Sequence, residues 1–368
     1  MANEDKATRY QRLRRRASLA GVAGVGLVLG LAMLAGSSEP ADPGSTTAQL
    51  IALTGAAFGL LAGCAGVTFL PAFYREARLT RRYGVLRESP GAWVKAWIPR
   101  AAAHVGIGTV AVVVCAGLRA VSPAWWWAVG GAVAGLAPFA VAALVQRATR
   151  RRPTGTPLAS GALRGRLTRL AADAGLPDLG LYQTHVGERT RLANAAVVTV
   201  GRERRVLLSD TLLADHSDEE VEAVVAHELA HIAHHDVVAS QAALAAHVAV
   251  SLYAVELTLR WLSPASPLIT PAGLPSALLA GGCTFLLFRP LTLALSRRQE
   301  READRYAVTL GGNPGALASV VRRIAANHLA EPSPSSVTVW LFHSHPSAAE
   351  RISAANRIPG PAHRRTVP

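Results

Sequence analysis

His227-Glu228-Leu229-Ala230-His231 is the segment of this chain best equipped for chemistry. Two histidines four apart on a helix stand one above the other, so both imidazoles reach a single metal ion. Glu228, about 100° round the helix from His227, is placed to hydrogen-bond a metal-bound water without ligating the metal. Zinc brings such a water to a pKa of about 7, and the carboxylate takes its proton as it attacks a carbonyl. A third ligand is needed, and the acids of 296–304 (SRRQEREAD) are the candidates. Glu300 and Asp304 are four apart and share a face, whereas Glu302 points elsewhere. One of that pair would ligate the metal and the other would steady a ligand histidine. The competing reading is a solvated helix face with Arg301 and Arg305 as local partners.

His234 lies seven residues after His227 on nearly the same face, which could make it look like a further ligand. The longer metzincin pattern needs a glycine at 234 and a histidine at 237, and Val237 excludes it. His234 and His235 read instead as polar residues at a membrane interface.

The elements that position these groups are those of a membrane protein. Of 368 residues, 50% are hydrophobic and 17% charged, against about 25% charged in soluble domains. With a mean hydropathy of +0.25, that excludes a wholly soluble or a disordered chain. The formal charge is 38 − 24 = +14, but the basic residues cluster beside apolar runs, the pattern of topology determinants against anionic lipid rather than of a nucleic-acid surface. Cys64, Cys115 and Cys283 sit scattered in apolar runs, too few for a disulfide framework or a thiolate site.

Apolar runs at 18–36, 48–72, 101–121, 124–146, 237–262 and 275–295 predict six spans. They divide the chain into a four-span region (1–152), a first polar segment with the motif helix (153–236), a two-span hairpin (237–295) and a second polar segment (296–368). The arginines before span one, in 73–100, in 147–152 and at 297–298 all fall on one side. That places the N-terminus and both polar segments in the cytoplasm. Arg119 alone occupies the turn between spans three and four, and Arg289 lies within span six, where it would reach the interface or pair with an acid. An even number of spans between His231 and Glu300 returns the chain to its starting side, so the two can meet. The basic leader and first span also fit a signal peptide loosely, but the run is long for one. The polar middle predicts an amphipathic helix at 160–174, strands at 179–184, 194–200 and 205–209 with a Gly-Arg-Glu-Arg turn, and a helix opened by Ser217 with Glu220 as a capping box. The motif helix runs almost directly into span five, so His231 should lie within roughly 10 Å of the membrane.

Over residues 155–356 the sequence resembles the integral-membrane zinc endopeptidases that include the type I CAAX prenyl proteases and the HtpX heat-shock proteases. The resemblance rests on Asn194-Ala195 before a strand, VLLSDTLL (206–213), HELAHIAHHD (227–236), SRRQEREAD (296–304) and HPSAAER (345–351). It implies one zinc ion held by His227, His231 and Glu300, with Glu228 as general base and Asp304 as the family's aspartate in the same helix. It also implies that His345 of the His-Pro pair donates to the oxyanion, worth about 3–4 kcal/mol if it acts as such donors do. Asn194, before a strand that would align the substrate, and Arg351 of the Glu-Arg pair are candidate substrate-binding residues. Arg351 as a structural ion-pair partner and His345 as a helix cap are the alternatives. Prenyl proteases have seven spans and the heat-shock type four, so six fits neither, and the N-terminal spans lie outside the resemblance.

The expectation is an α-helical multi-pass membrane protein of about six spans, with a cytoplasmic, mainly helical α+β zincin-like metalloprotease domain. Its partners would be the lipid bilayer and membrane-associated proteins or peptides, without nucleic acid. With 36 arginines against two lysines, the composition suggests a GC-rich bacterium and its plasma membrane. A membrane sensor built on a metalloprotease domain is the alternative, but every outside loop is short. A non-catalytic scaffold is disfavoured because ligands and base are all present. Intramembrane cleavage would need the motif inside a span, which the polar Ser-Asp-Glu-Glu start opposes. Residues 329–342 read either as a lid over the cleft or as an interfacial anchor through Trp340.

Overall fold

The structure is a computed structural model, and it describes residues 5–36, 45–149, 155–188, 190–200, 203–262, 269–311 and 313–358. The expected outside connections at 37–44 and 263–268, residues 150–154 with the basic run Arg150–Arg152, and part of the expected hairpin turn (201–202) lie outside the described residues. Helices begin where serines supply an acceptor. Ser45 caps α2 (Thr46–Phe73) and Ser89 caps α4 (Pro90–Val121), whose proline sits where no N–H is needed. Asp5 caps α1 (Lys6–Ala35) in the same way. Between α2 and α4 the chain continues through a π turn, Tyr74–Arg78, into the short α3 (Leu79–Arg82). α5 (Trp126–Thr149) completes the N-terminal membrane region.

Among the described residues, five helices are long and apolar enough to cross a bilayer: α1, α2 with its extension to Arg82, α4, α9 (Asp236–Leu262) and α10 (Leu274–Gly311). α5 occupies the expected fourth span, although its apolar part, Trp126–Val141, is shorter. α5 packs on α9 through small residues, as membrane helices do in the absence of a hydrophobic drive between them. A Cβ placed on Gly131 would lie 2.6 Å from the carbonyl oxygen of Ala245 and from Cβ of Ala249, so only glycine permits this approach. At the end remote from the polar segments, fully buried Glu256 accepts from Arg119 (2.7 Å), Trp126 Nε1 (2.8 Å) and Arg260 (2.6 Å), tying α4, α5 and α9 together. Arg119 therefore has a specific partner. Arg289 is exposed on α10 and has no acidic partner among the described residues.

The polar segments fold on one mixed sheet. Its strands are β1 (Thr156–Pro157), β2 (Gly180–Thr184), β3 (Ala195–Val200) and β4 (Glu203–Ser209), in the order β1-β2-β4-β3. β2 pairs parallel with β4, and β3 antiparallel with it from Ala195↔Leu208 to Val200↔Glu203, which leaves β3 at the edge. The three expected strands are present, while β1 is too short to leave a pattern. α6 (Ala162–Asp173), α7 (Asp210–Asp215), α8 (Asp218–Ala233), α11 (Pro314–Asn327), α12 (Ser336–Phe342) and α13 (Ala348–Arg357) complete the domain. Leu167, Val206, Leu208, Leu212, Val225, Leu229 and Leu317 form its core.

One element is more continuous than the sequence suggested. The span at 275–295 and the polar helix after it form a single helix, α10, of 38 residues, about 57 Å long. Pro290 removes one backbone donor without ending the helix, and no other breaker separates the two parts. Glu300 therefore rides on the same rod that crosses the membrane.

Candidate metal centre

The motif lies on α8, and its start is built as read. Ser217 Oγ accepts from the Glu220 N–H at 3.3 Å, and the Glu220 carboxylate accepts from the Ser217 N–H at 3.1 Å. Burial alone would raise the Glu220 carboxyl, but hydrogen bonds from Ser319 (2.6 Å) and Ser217, with Arg323 (2.9 Å) and His216 alongside, hold it below the ordinary range. This cluster locks α8 to α11. At its far end α8 stops where His234 caps it and His235 turns left-handed at φ 55°. That break lets Asp236 open α9 while staying within reach of the motif. His234 stands edge-on to Tyr306 (centroids 5.5 Å) and takes no part in the site.

His227, His231 and Glu300 each offer a ligand atom, all within 4.8 Å of one another. His227 Nε2 lies 3.5 Å from Glu300 Oε2, and His231 Nε2 lies 3.8 Å from Oε1. Donors about 2.0–2.1 Å from a tetrahedral zinc stand about 3.4 Å apart, so the arrangement fits that ion. The Nδ1 atoms are equally informative. His227 Nδ1 meets Asp304 Oδ1 at 3.0 Å, and His231 Nδ1 meets Asp236 Oδ2 at 2.7 Å. With each carboxylate accepting a hydrogen bond from Nδ1–H, the Nε2 lone pairs of both rings are left to face Glu300. Burial would depress the His227 imidazole, but hydrogen bonds to Asp304 and Glu300 push it up to about 9, and a metal ion held here would take the place of that proton.

Glu302 is turned outward and pairs with Arg298 at 2.9 Å. Asp304 is the residue behind His227, and Arg351 holds it in turn, donating from Nε at 2.8 Å and Nη2 at 2.7 Å. Arg351 Nη1 stands 3.7 Å from Glu300, so its guanidinium serves the acids, with one edge in the cleft. His345 Nδ1 lies 3.0 Å from Glu300 Oε2, which brings the distant His-Pro motif to the same site. Glu228 faces the same cleft, and desolvation raises its carboxyl. Asn194 is exposed at the cleft wall, its backbone paired with Ser209 just before edge strand β3. The cleft has a volume of about 410 Å³.

Asp236 is the residue the sequence reading missed. Its signal was an acid five positions after the second motif histidine, at the head of an apolar run where an acid is otherwise unfavourable. Gln299 donates to the Asp236 carbonyl at 3.2 Å, so α10 steadies this junction as well as supplying Glu300.

Residues 157–358 match the model of peptidase family M48. The chain belongs to that family. The chain is 30% identical over 213 residues to a protein named as an uncharacterised metalloprotease, YhfN of Bacillus subtilis, covering 55% of this chain and 49% of that one. A protease HtpX homologue of Methanopyrus kandleri is 29% identical over 213 residues, covering 52% and 65%. Another from Ralstonia pickettii is 32% identical over 208 residues, covering 50% and 69%. The chain thus spans about half to two thirds of the curated relatives it matches. Beyond the M48 domain, a crystal structure of Ste24p from S. mikatae superposes with a TM-score of 0.70 over 95% of this chain and 87% of that one. At 20% identity that likeness is one of fold, and it extends over the N-terminal spans that the sequence resemblance left out. The protein is a multi-pass membrane member of the M48 family, with a site suited to a metal ion.

Proposed function

We propose that this protein is a zinc-dependent endopeptidase acting at the cytoplasmic face of a bacterial plasma membrane on membrane-associated proteins or peptides. The observation that carries the reading is the meeting of Glu228 with His227, His231 and Glu300 in one cleft beside edge strand β3. A zinc ion held by the two Nε2 atoms and Glu300 would supply Lewis acidity, lowering the pKa of a coordinated water and polarising the scissile carbonyl. The chain's own residues do the rest. The outer edge of β3, after Asn194, hydrogen-bonds an extended substrate and aligns its backbone along the cleft. Glu228, its proton affinity raised by desolvation, accepts the proton of the attacking water and passes it to the leaving amine. With Nδ1 held by Glu300, His345 presents Nε2 to the carbonyl oxygen as charge develops there. Arg351 and Asp304 keep His227 oriented, and Asp236 does the same for His231.

The cytoplasmic orientation rests on contacts as well as charge. Arg15 of α1 pairs with Glu331 of the M48 domain at 2.6 Å, and Arg87 donates to the Gly187 carbonyl at 2.7 Å. The basic N-terminus and the basic loop before α4 thus lie on the protease side, which the positive-inside rule assigns to the cytoplasm. The test is Glu228→Gln. Purified protein should bind about one zinc per chain, and the variant should keep the metal while cleavage of a casein-like substrate is lost. Normal cleavage by the variant would overturn the mechanism.

A further inference from the structure

Residues 329–343, between α11 and α13, supply no ligand to the metal site, yet they present side chains ill-suited to water. Val337, Trp340 and Phe342 are 65%, 51% and 37% exposed, on a helix, α12, with no buried residue. At 100° per residue, Val337, Trp340 and half-buried Leu341 fall within about 100° of arc, and Val339 faces the other way. Arg297 fixes that orientation. Its buried side chain donates from Nη1 to the carbonyls of Val339 (3.2 Å) and His343 (2.7 Å), binding the C-terminal end of α12 to α10.

Two spanning helices independently report the depth of this segment. Arg297 is two residues past Leu295, where the apolar run of α10 ends, a rise of about 3 Å. On the opposite side, Gln11 donates to the Leu329 carbonyl at 2.7 Å and Arg15 pairs with Glu331 at 2.6 Å. Arg15 is three residues before Ser18, where the apolar run of α1 opens. α13, by contrast, meets α10 about a turn further out, at Arg301 and Asp304. Residues 329–343 are therefore strung between two membrane helices at headgroup level, in a layer roughly 5–8 Å thick. An indole favours that layer, with its ring among acyl chains and its N–H in the wet zone.

We propose that α12 is an interfacial helix that seats Val337, Trp340 and Leu341 in the leaflet on the protease side. The bilayer itself is the occupant of this face. The neighbouring exposed Arg16 and Arg298 suit anionic headgroups. The helix sets the height of the loop that leads, two residues after His343, to His345. The inference stands apart from the proteolytic reading, because its readout is depth and not activity.

The experiment uses full-length protein with Cys64, Cys115 and Cys283 replaced by alanine and one cysteine introduced by Val337→Cys, Trp340→Cys or, as control, Ala349→Cys on α13. Each is labelled with a nitroxide and placed in vesicles of phosphatidylcholine and phosphatidylglycerol, with zinc content checking the fold. Labels at 337 and 340 should collide with oxygen several-fold more, relative to a water-soluble nickel chelate, than the label at 349. Equal nickel accessibility at all three positions would overturn the proposal, leaving α12 in water as a lid. Protection from nickel that persists equally in dilute detergent without lipid would also overturn it, since a protein surface would then be the cover.

Discussion

Removing the Asp236 carboxylate isolates what one hydrogen bond contributes to the metal site. Asp236 Oδ2 lies 2.7 Å from His231 Nδ1, and 25% of the His231 side chain is accessible against 11% for His227. Losing such a carboxylate costs about 10–100-fold in metal affinity, or about 1.4–2.7 kcal/mol. Solvent can replace part of the bond at the more exposed ring, so Asp236→Ala should fall near the lower end, about tenfold. Asp236→Asn keeps an acceptor and should cost less. Asp304→Ala removes a carboxylate that is 5% exposed and leaves half-buried Arg351 with only the longer contact to Glu300. That variant should reach the upper end for zinc and also lose about 1–3 kcal/mol of stability. The assay is competition between the solubilised protein and a chromophoric chelator, with the thermal midpoint of each variant measured without metal. Unchanged zinc affinity in Asp236→Ala would refute the carboxylate–imidazole account of His231. A loss that merely tracks a fall in the metal-free midpoint would reassign Asp236 to the α8–α9 junction.

Glu300→Ala should purify nearly free of zinc, whereas Glu302→Ala, which loses only an exposed pair with Arg298, should retain it; metal analysis showing the reverse would move the ligand. Glu220→Gln should destabilise the domain at neutral pH by about 1–3 kcal/mol. The folded-state carboxyl of Glu220 is held below its unfolded value, so its contribution is complete above the unfolded pKa of about 4.3 and is lost as pH falls through the folded one. Denaturation of variant and wild type should therefore converge in acid, and a gap that persists there would show a packing effect instead. Gly131→Val puts carbon 2.6 Å from a carbonyl oxygen of α9 and should separate α5 from α9, read as a lower thermal midpoint and new protease cuts near 122–126. Wild-type behaviour would mean the two helices are not packed as described.

Local pattern carried a large part of this protein. The six apolar runs, the capping box at Ser217 and the strands around 180–209 depend on neighbours a few residues away, so they could be read directly. The i,i+4 pairs His227/His231 and Glu300/Asp304 belong to the same class, because a helix alone decides which side chains share a face. Division of labour within the second pair needed the fold: Glu300 faces both imidazoles, and Asp304 sits behind His227 under Arg351, which arrives from 47 residues downstream. Asp236 escaped notice because its value depends on the left-handed turn at His235, a backbone state that the residue types there do not announce. Arg119 met Glu256 across 137 residues for the same kind of reason. Contacts between elements depend on how rods pack, and here the 57 Å continuity of α10 links the membrane span, the third ligand and the Arg297 clamp in one rigid piece.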